Sequence, residues 1–208
     1  MRATHDIESI FGTRSRTRVL RVLHGVSVPL NTAQVARHAG LSQPAASSAL
    51  AELESIGLVM SNRVGWAKVH WIVRENAYVQ RIVDPVFLAQ EALGDELERD
   101  LRDAFGPLCV SVVVFGSYAR DEQEEDSDID VVLVASDADA KAQVDEAATV
   151  QANFFYRRWG ASLSPLIYDL AQAAALCRTA PSLFADIERD GVVVSGLWPY
   201  EWSRHAPS

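Results

Sequence analysis

Two short apolar runs, each joined to a polar element of definite chemistry, limit what this chain can become. Val110, Val112, Val113, Val114 and Phe115 form the first, which ends at Gly116-Ser117. Val131-Val132-Leu133-Val134 form the second, directly after Asp128-Ile129-Asp130. Short apolar runs bounded by turn formers read as buried strands. Side chains alternate along a strand, so Asp128 and Asp130 share a face, about 6.6 Å apart. Two carboxylates so spaced can hold a pair of divalent cations roughly 3.5 to 4 Å apart, and oxygen-only ligands favour Mg2+ or Mn2+ over zinc. Glycine lets backbone approach a ligand closely. The Ser117 hydroxyl and the N–H groups of a short helix at Ser117-Tyr118-Ala119 can hold phosphate oxygens, and Arg120 adds a charge for them. Either element alone is ordinary turn chemistry. The plainer reading, acids that merely cap a strand, leaves the Gly-Ser spacing unexplained.

With ten residues between Ser117 and Asp128, Gly116, Ser117, Asp128 and Asp130 complete a GSx10DxD pattern. The segment resembles the signature of the DNA polymerase beta nucleotidyltransferase superfamily in its minimal form. That resemblance implies that Asp128 and Asp130 bind magnesium carrying a nucleoside triphosphate (NTP), and that Ser117 contacts its phosphates. It also implies a third carboxylate on a later strand, serving as general base or completing the second metal site. The later strand expected here, Ser162 to Tyr168, offers Ser164 and Pro165 instead, with Asp169 at its end.

The net charge of -9 is divided unevenly. Residues 1–81 hold ten Lys or Arg against five Asp or Glu, a net of +5, and the remainder holds nine against 23, a net of -14. Only the basic part is expected to approach a polyanion unaided. At 49% hydrophobic over 208 residues there is material for one large or two small cores, and no run of about 18 apolar residues that would span a membrane. Met1 to Asp6 lack an apolar signal core, and Cys109 and Cys177 are read as separate, inert buried thiols, so a cytoplasmic protein is expected. The five histidines show no metal-ligand spacing.

In the basic part, the pattern predicts a helix over 17–24, a second over 33–39 capped by Asn31 or Thr32, and a third opening at Ser42 with Pro44 in its first turn. Leu58-Val59-Met60 and Ala67 to Val73, around Asn62-Arg63-Val64-Gly65, read as a two-stranded wing. Residues 7–74, and LSQPAASSALAELESIGLV above all, resemble the winged helix-turn-helix of regulators such as the MarR and ArsR groups. The resemblance implies a third helix in the major groove of double-stranded DNA, with Gln43, Ser47 and Ser48 facing bases. Arg14, Arg16, Arg18, Arg37, Arg63 and Lys68 are the phosphate candidates. That helix has no Lys or Arg, the side chains most used to read guanine; a dimerisation or protein-docking role is the alternative.

Residues 75–105 read as a linking helix interrupted at Asp84-Pro85, which lies on its own domain or pairs in a homodimer. Residues 106–196 form the transferase-like domain and 197–208 an aromatic tail that docks or frays. The run Asp121 to Asp126 reads as a hydrated acidic loop. Asp137 to Trp159 is expected to be a helix with Val144, Ala147, Ala148, Val150 and Phe154 on its apolar side, and Arg157 or Arg158 as a candidate triphosphate contact. Leu163 to Tyr168 and Val192 to Val194 are expected as strands, with helices over 170–176 and 182–190 between them. The expected class is α+β: a winged helix-turn-helix, a linking helix and a mixed sheet flanked by helices. The whole resembles regulators fused to a minimal nucleotidyltransferase domain. Two functions stay open: nucleotide transfer from an NTP to an acceptor hydroxyl, or a transcriptional regulator whose transferase domain is inactive and serves as nucleotide sensor or antitoxin-like partner module. Minimal nucleotidyltransferases paired with HEPN toxins modify a protein tyrosine, so a toxin or other protein is a candidate acceptor.

Overall fold

A computed structural model describes residues 5–119 and 128–206. The chain divides into two compact units, Met1–Leu93 and Gly94–Ser208, each with its own core.

In the first unit, polar caps start each helix. Asp6 accepts the Ser9 N–H ahead of α1 (Ile7–Phe11), and Thr13 caps α2 (Arg14–His24). Asn31 and Gln34 form a reciprocal capping box on α3 (Thr32–His38), and Ser42 caps α4 (Gln43–Ser55), with Pro44 in its first turn. Each such cap is worth about 1 kcal/mol. The short strand β1 (Leu30–Asn31) and the hairpin β2 (Val59–Val64) and β3 (Ala67–Ile72) form an antiparallel sheet in the order β1-β3-β2. Leu20, Leu23, Val35, Leu50, Leu53 and Leu58 pack in the core. Helices α2, α3 and α4 with the β2–β3 hairpin have the arrangement of a winged helix-turn-helix. Two elements were not expected from sequence, α1 and β1; both are too short to display a period.

The expected interruption near Asp84-Pro85 is a change of helical pitch. A π-helical turn (Val79–Val83) passes directly into α5 (Asp84–Phe105). Pro85, in the first turn of α5, has no N–H to donate back into the π turn, and the pitch changes where that bond is lost. Val79, Val83 and Phe87 belong to the first unit's core, and Leu97, Leu101 and Phe105 to a core of the second.

The second unit is built on a four-stranded mixed sheet, order β6-β5-β4-β7: β4 (Ser111–Phe115), β5 (Ile129–Ala135), β6 (Leu163–Asp169) and β7 (Val192–Gly196). β5 and β6 run parallel; β4 is antiparallel to both β5 and β7. The apolar runs have no polar alternation because both faces of the sheet are covered. On one face Val112, Val114, Ile129, Val131 and Leu133 pack with Leu101 and Phe105 of α5 and with Val144 and Phe155 of α7 (Ala138–Trp159). On the other, Val113, Val132 and Val134 pack with α8 (Leu170–Thr179) and α9 (Pro181–Asp190). The short helix α6 (Gly116–Ala119) follows β4.

The aromatic tail docks. After a 3-10 turn (Pro199–Glu201), α10 (Trp202–His205) buries Trp202 completely, edge-on to Phe184. On α7 the buried line is Val144, Ala148 and Phe155, whereas Val150 is 70% and Phe154 45% exposed. Val144 and Ala148 of the expected apolar side are buried and Ala147 packs against the same core, but Val150 and Phe154 miss it, because a line at helical spacing from Val144 reaches Phe155, not Phe154. Cys109 is partly buried, and burial pushes its thiol up to about 12, as an inert thiol requires. Cys177 is exposed, contrary to expectation. Among the described residues, no helix is long and apolar enough to cross a membrane.

Candidate functional site

β4 delivers the chain to Gly116, and β5 begins one residue after Asp128. Antiparallel pairing sets Phe115 opposite Asp130, which brings the two polar elements together at one end of the sheet. Gly116 has a left-handed φ of 75°, a region that residues with a Cβ enter at a cost. A Cβ at this position would lie 2.4 Å from Asp130 Oδ2 and 3.2 Å from its Cγ. The Asp130 carboxylate therefore rests in the space that the missing side chain leaves. Glycine meets both a torsional and a steric demand here.

Asp128 is exposed and Asp130 partly buried, with Ile129 fully buried between them. Ile129 is fixed by its N–H donating to the Ser162 carbonyl at 2.8 Å. Strand alternation sets both acids on the face that continues as Val132 and Val134. Two oxygen ligands on one face, one open to solvent and one held against glycine, fit a hard divalent cation with phosphate oxygens completing its shell. The described residues contain no cluster of three or more His, Cys, Asp or Glu suited to a metal.

The parallel register explains why. Asp130 pairs with Ser164, Val131 with Pro165, and Asp169 with Ala135. Ser164 stands beside Asp130 on the same face, with Leu166 and Tyr168 following on that face in the α8–α9 core. Asp169 lies five residues further along the strand from Ser164, about 16 Å away, and its carboxylate is taken up in capping α8 through Gln172 N–H at 2.8 Å. Neither supplies a carboxylate beside Asp130. Ser117 is the second residue of α6. Arg120 and the acidic run from Asp121 to Asp126 lie outside the described residues.

Arg158, at the end of α7, has other work. Arg158 Nε donates to Asp100 Oδ2 at 2.5 Å and its Nη2 to Glu96 Oε2 at 3.0 Å, both on α5. Its guanidinium also lies over the Trp159 ring, and Trp159 Nε1 donates to the same Asp100 oxygen at 3.0 Å. α5 and α7 cover the face opposite Asp130, so Arg158 ties two helices together; nothing in the structure brings it to the carboxylate pair.

In the first unit, Gln43, Ser47 and Ser48 are exposed on α4, opposite the buried Ala46, Ala49, Leu50 and Leu53. Ser48 donates to Glu52, which pairs with Arg16, so an acid and its partner occupy the same exposed side. Arg37 on α3 and Arg63 on the wing are exposed, with no ion pair among the described residues. Lys68 is held by Glu54 at 2.9 Å, and Arg18 reaches the Gly40 carbonyl. Sequence reasoning missed the group around His70, which is 2% exposed beneath the wing. His70 Nδ1 lies 2.9 Å from Glu54 Oε1 and Nε2 lies 3.0 Å from the Thr32 hydroxyl, tying β3 to α4 and α3. Burial lowers the His70 pKa and outweighs the neighbouring Glu54 carboxylate, which raises it. With Nδ1–H donating to Glu54, Nε2 is left to accept from the Thr32 hydroxyl. Burial would raise Glu54, but hydrogen bonds from Lys68, Ser61 and His70 together hold it below its ordinary value. A histidine inside the alternating strand AKVHWI was the available signal.

Residues 95–192 match the family model of the nucleotidyltransferase domain, a span from within α5 to the first residue of β7. No curated protein matches the chain. Among solved structures, the chain is similar to a homodimeric winged helix-turn-helix DNA-binding domain from Mycobacterium bovis, described as a possible ArsR-family transcriptional regulator. Identity is 20%, over 44% of this chain and 91% of that one, with a TM-score of 0.33. It is also similar to a toxin–antitoxin structure with AMP-PNP, at 21% identity over 54% of this chain and 80% of that chain, TM-score 0.36. A mutant of the toxin–antitoxin MntA–HpeT is 19% identical over the same shares, with a TM-score of 0.36.

Proposed function

We propose that the second unit holds a nucleoside triphosphate with a divalent cation at Asp128 and Asp130 and passes its nucleotide to an acceptor hydroxyl, while the first unit binds double-stranded DNA. The observation that carries the nucleotide reading is the Asp130 carboxylate seated in the space at Gly116, within a span matching the nucleotidyltransferase domain. When bound, Mg2+ or Mn2+ would neutralise charge building on the phosphates. Asp128 and Asp130 hold that cation on a rigid strand, and positioning of this kind supplies much of the catalysis in such transfers. Gly116 leaves room for the Asp130 carboxylate, and Ser117 and Arg120 orient the phosphates. In the reaction the acceptor oxygen bonds to the α-phosphorus, the bond to the leaving pyrophosphate breaks, and the acceptor proton passes to solvent. The acceptor is a protein side chain, an RNA end or a small molecule; a toxin protein belongs to the first of these.

A second reading, a regulator that binds nucleotide without transferring it, is favoured by Ser164 beside Asp130 and by the distance of Asp169 from the pair. Incubating the protein with labelled ATP or CTP, magnesium and cell lysate separates the two. Label transferred by wild type and lost in Asp128→Asn supports transfer; nucleotide bound at the same site with no label transferred supports sensing or partner docking. The DNA reading rests on the first unit's charge, fold and exposed Arg37 and Arg63. A salt-titrated shift assay tests it, since neutralising phosphates makes affinity fall steeply with salt.

A further inference from the structure

The wing ends in a two-residue turn, Gly65-Trp66, closed by the Val64–Ala67 pair. Gly65 takes a left-handed φ of 61° and has nothing within 4 Å of where a Cβ would stand. Trp66, beside it at the apex, is completely exposed. A bare tryptophan on a rigid projection is costly to hydrate and is enriched where a partner covers it. Arg63 and Lys68 are cross-strand neighbours just below the turn, and Lys68 is paired with Glu54. Arg63 has no ion pair among the described residues, and residues 1–81 carry a net +5. Helix α4, by contrast, exposes Gln43, Ser47 and Ser48, half-buries the acid Glu52, and has no cation of its own. The exposed aromatic group and one arginine of this unit unpaired among the described residues, Arg63, thus meet at the wing tip.

We infer that Trp66 is a wedge for duplex DNA: it enters the minor groove and partly unstacks one base step, while Arg63 lies along the adjoining phosphates. An apolar side chain inserted between base pairs kinks the duplex and is insensitive to most of the sequence. That suits a unit whose α4 carries few groups able to discriminate bases. Charge complementarity selects the polyanion over a protein surface as the occupant. The inference rests on the DNA reading of the first unit and adds to it the inserting residue and the distortion it causes.

The test uses the full chain and a mixed-sequence duplex at low salt, carrying 2-aminopurine to report unstacking and a fluorophore pair at its ends to report bending. Wild type is expected to bind, raise the 2-aminopurine signal and shorten the end-to-end distance. Trp66→Ala is expected to bind roughly tenfold more weakly and to lose both signals, with Trp66→Phe keeping part of each. Arg63→Ala should weaken binding and flatten its salt dependence while keeping the unstacking signal. Trp66→Ala that binds and bends DNA like wild type overturns the wedge and leaves DNA binding standing. Wild type that fails to bind the duplex overturns both. Trp66→Ala that instead changes the sedimentation of the protein alone identifies the tip as a contact between copies, and the wedge falls. Because Trp66 touches no core, Trp66→Ala should keep the wild-type melting temperature.

Discussion

Gly116 and Asp130 are bound to each other by geometry: the carboxylate can lie where it does only while residue 116 has no Cβ. Gly116→Ala must both adopt a φ of 75° and displace Asp130. It should cost about 1–3 kcal/mol of stability and abolish cation-dependent nucleotide binding, read by thermal melts with and without Mg2+ and ATP. His70 gives a pH prediction of definite sign. Its folded pKa is lowered, so between that value and the unfolded value of about 6.5 the unfolded chain binds more protons. Its contribution is fully present above about pH 6.5 and is lost as the pH falls toward the folded value. Glu54, also lowered, adds stability that is present above its unfolded value and lost as the pH falls through the folded one. Urea midpoints of the first unit should therefore fall between neutral and mildly acid pH in wild type and lose that slope in His70→Phe. A slope unchanged in His70→Phe would assign it to other groups.

Elements were legible in the sequence wherever periodicity, caps and turn residues agreed. Ser42 with Pro44, Asn31 or Thr32, and Gly65 mark their helices and turn, and the runs before Gly116 and after Asp130 gave β4 and β5; that Asn31 is the cap and closes a box with Gln34 came from the structure. What could not be read was the third dimension of adjacency. That Gly116 and Asp130 touch depends on the β4–β5 register, and that Arg158 serves α5 depends on which face α7 covers. β1 exists only by pairing with β3. The sequence showed no acid inside β6, but only the register identifies Ser164 as the neighbour of Asp130. Ser164→Asp should therefore add a third oxygen ligand and raise Mg2+ affinity, measured calorimetrically, whereas an acid at Leu166, further along the same face, should not. If wild type binds nucleotide without transfer, Ser164→Asp is also the variant in which transfer should be sought first.

Two units that share no core cluster imply two separate stabilities. Leu53 is fully buried in the first core, and its truncation to Ala should cost about 2–5 kcal/mol. It should lower one calorimetric transition while leaving Mg2+-dependent nucleotide binding intact; loss of that binding would show that the units depend on each other for stability. The uneven charge, basic to residue 81 and acidic beyond it, agrees with the proposed division, in which one unit meets the polyanion and the other a cation-borne phosphate. All of this depends on Asp128 and Asp130 acting as a cation-dependent nucleotide site, and isothermal titration of ATP and CTP reads that directly. Wild type should bind at least one of them with Mg2+ and lose the binding on chelation, and Asp130→Asn should bind roughly 100-fold more weakly or worse at an unchanged melting temperature. Binding that is equal in wild type and Asp130→Asn, or absent from well-folded wild type with either nucleotide, would contradict it.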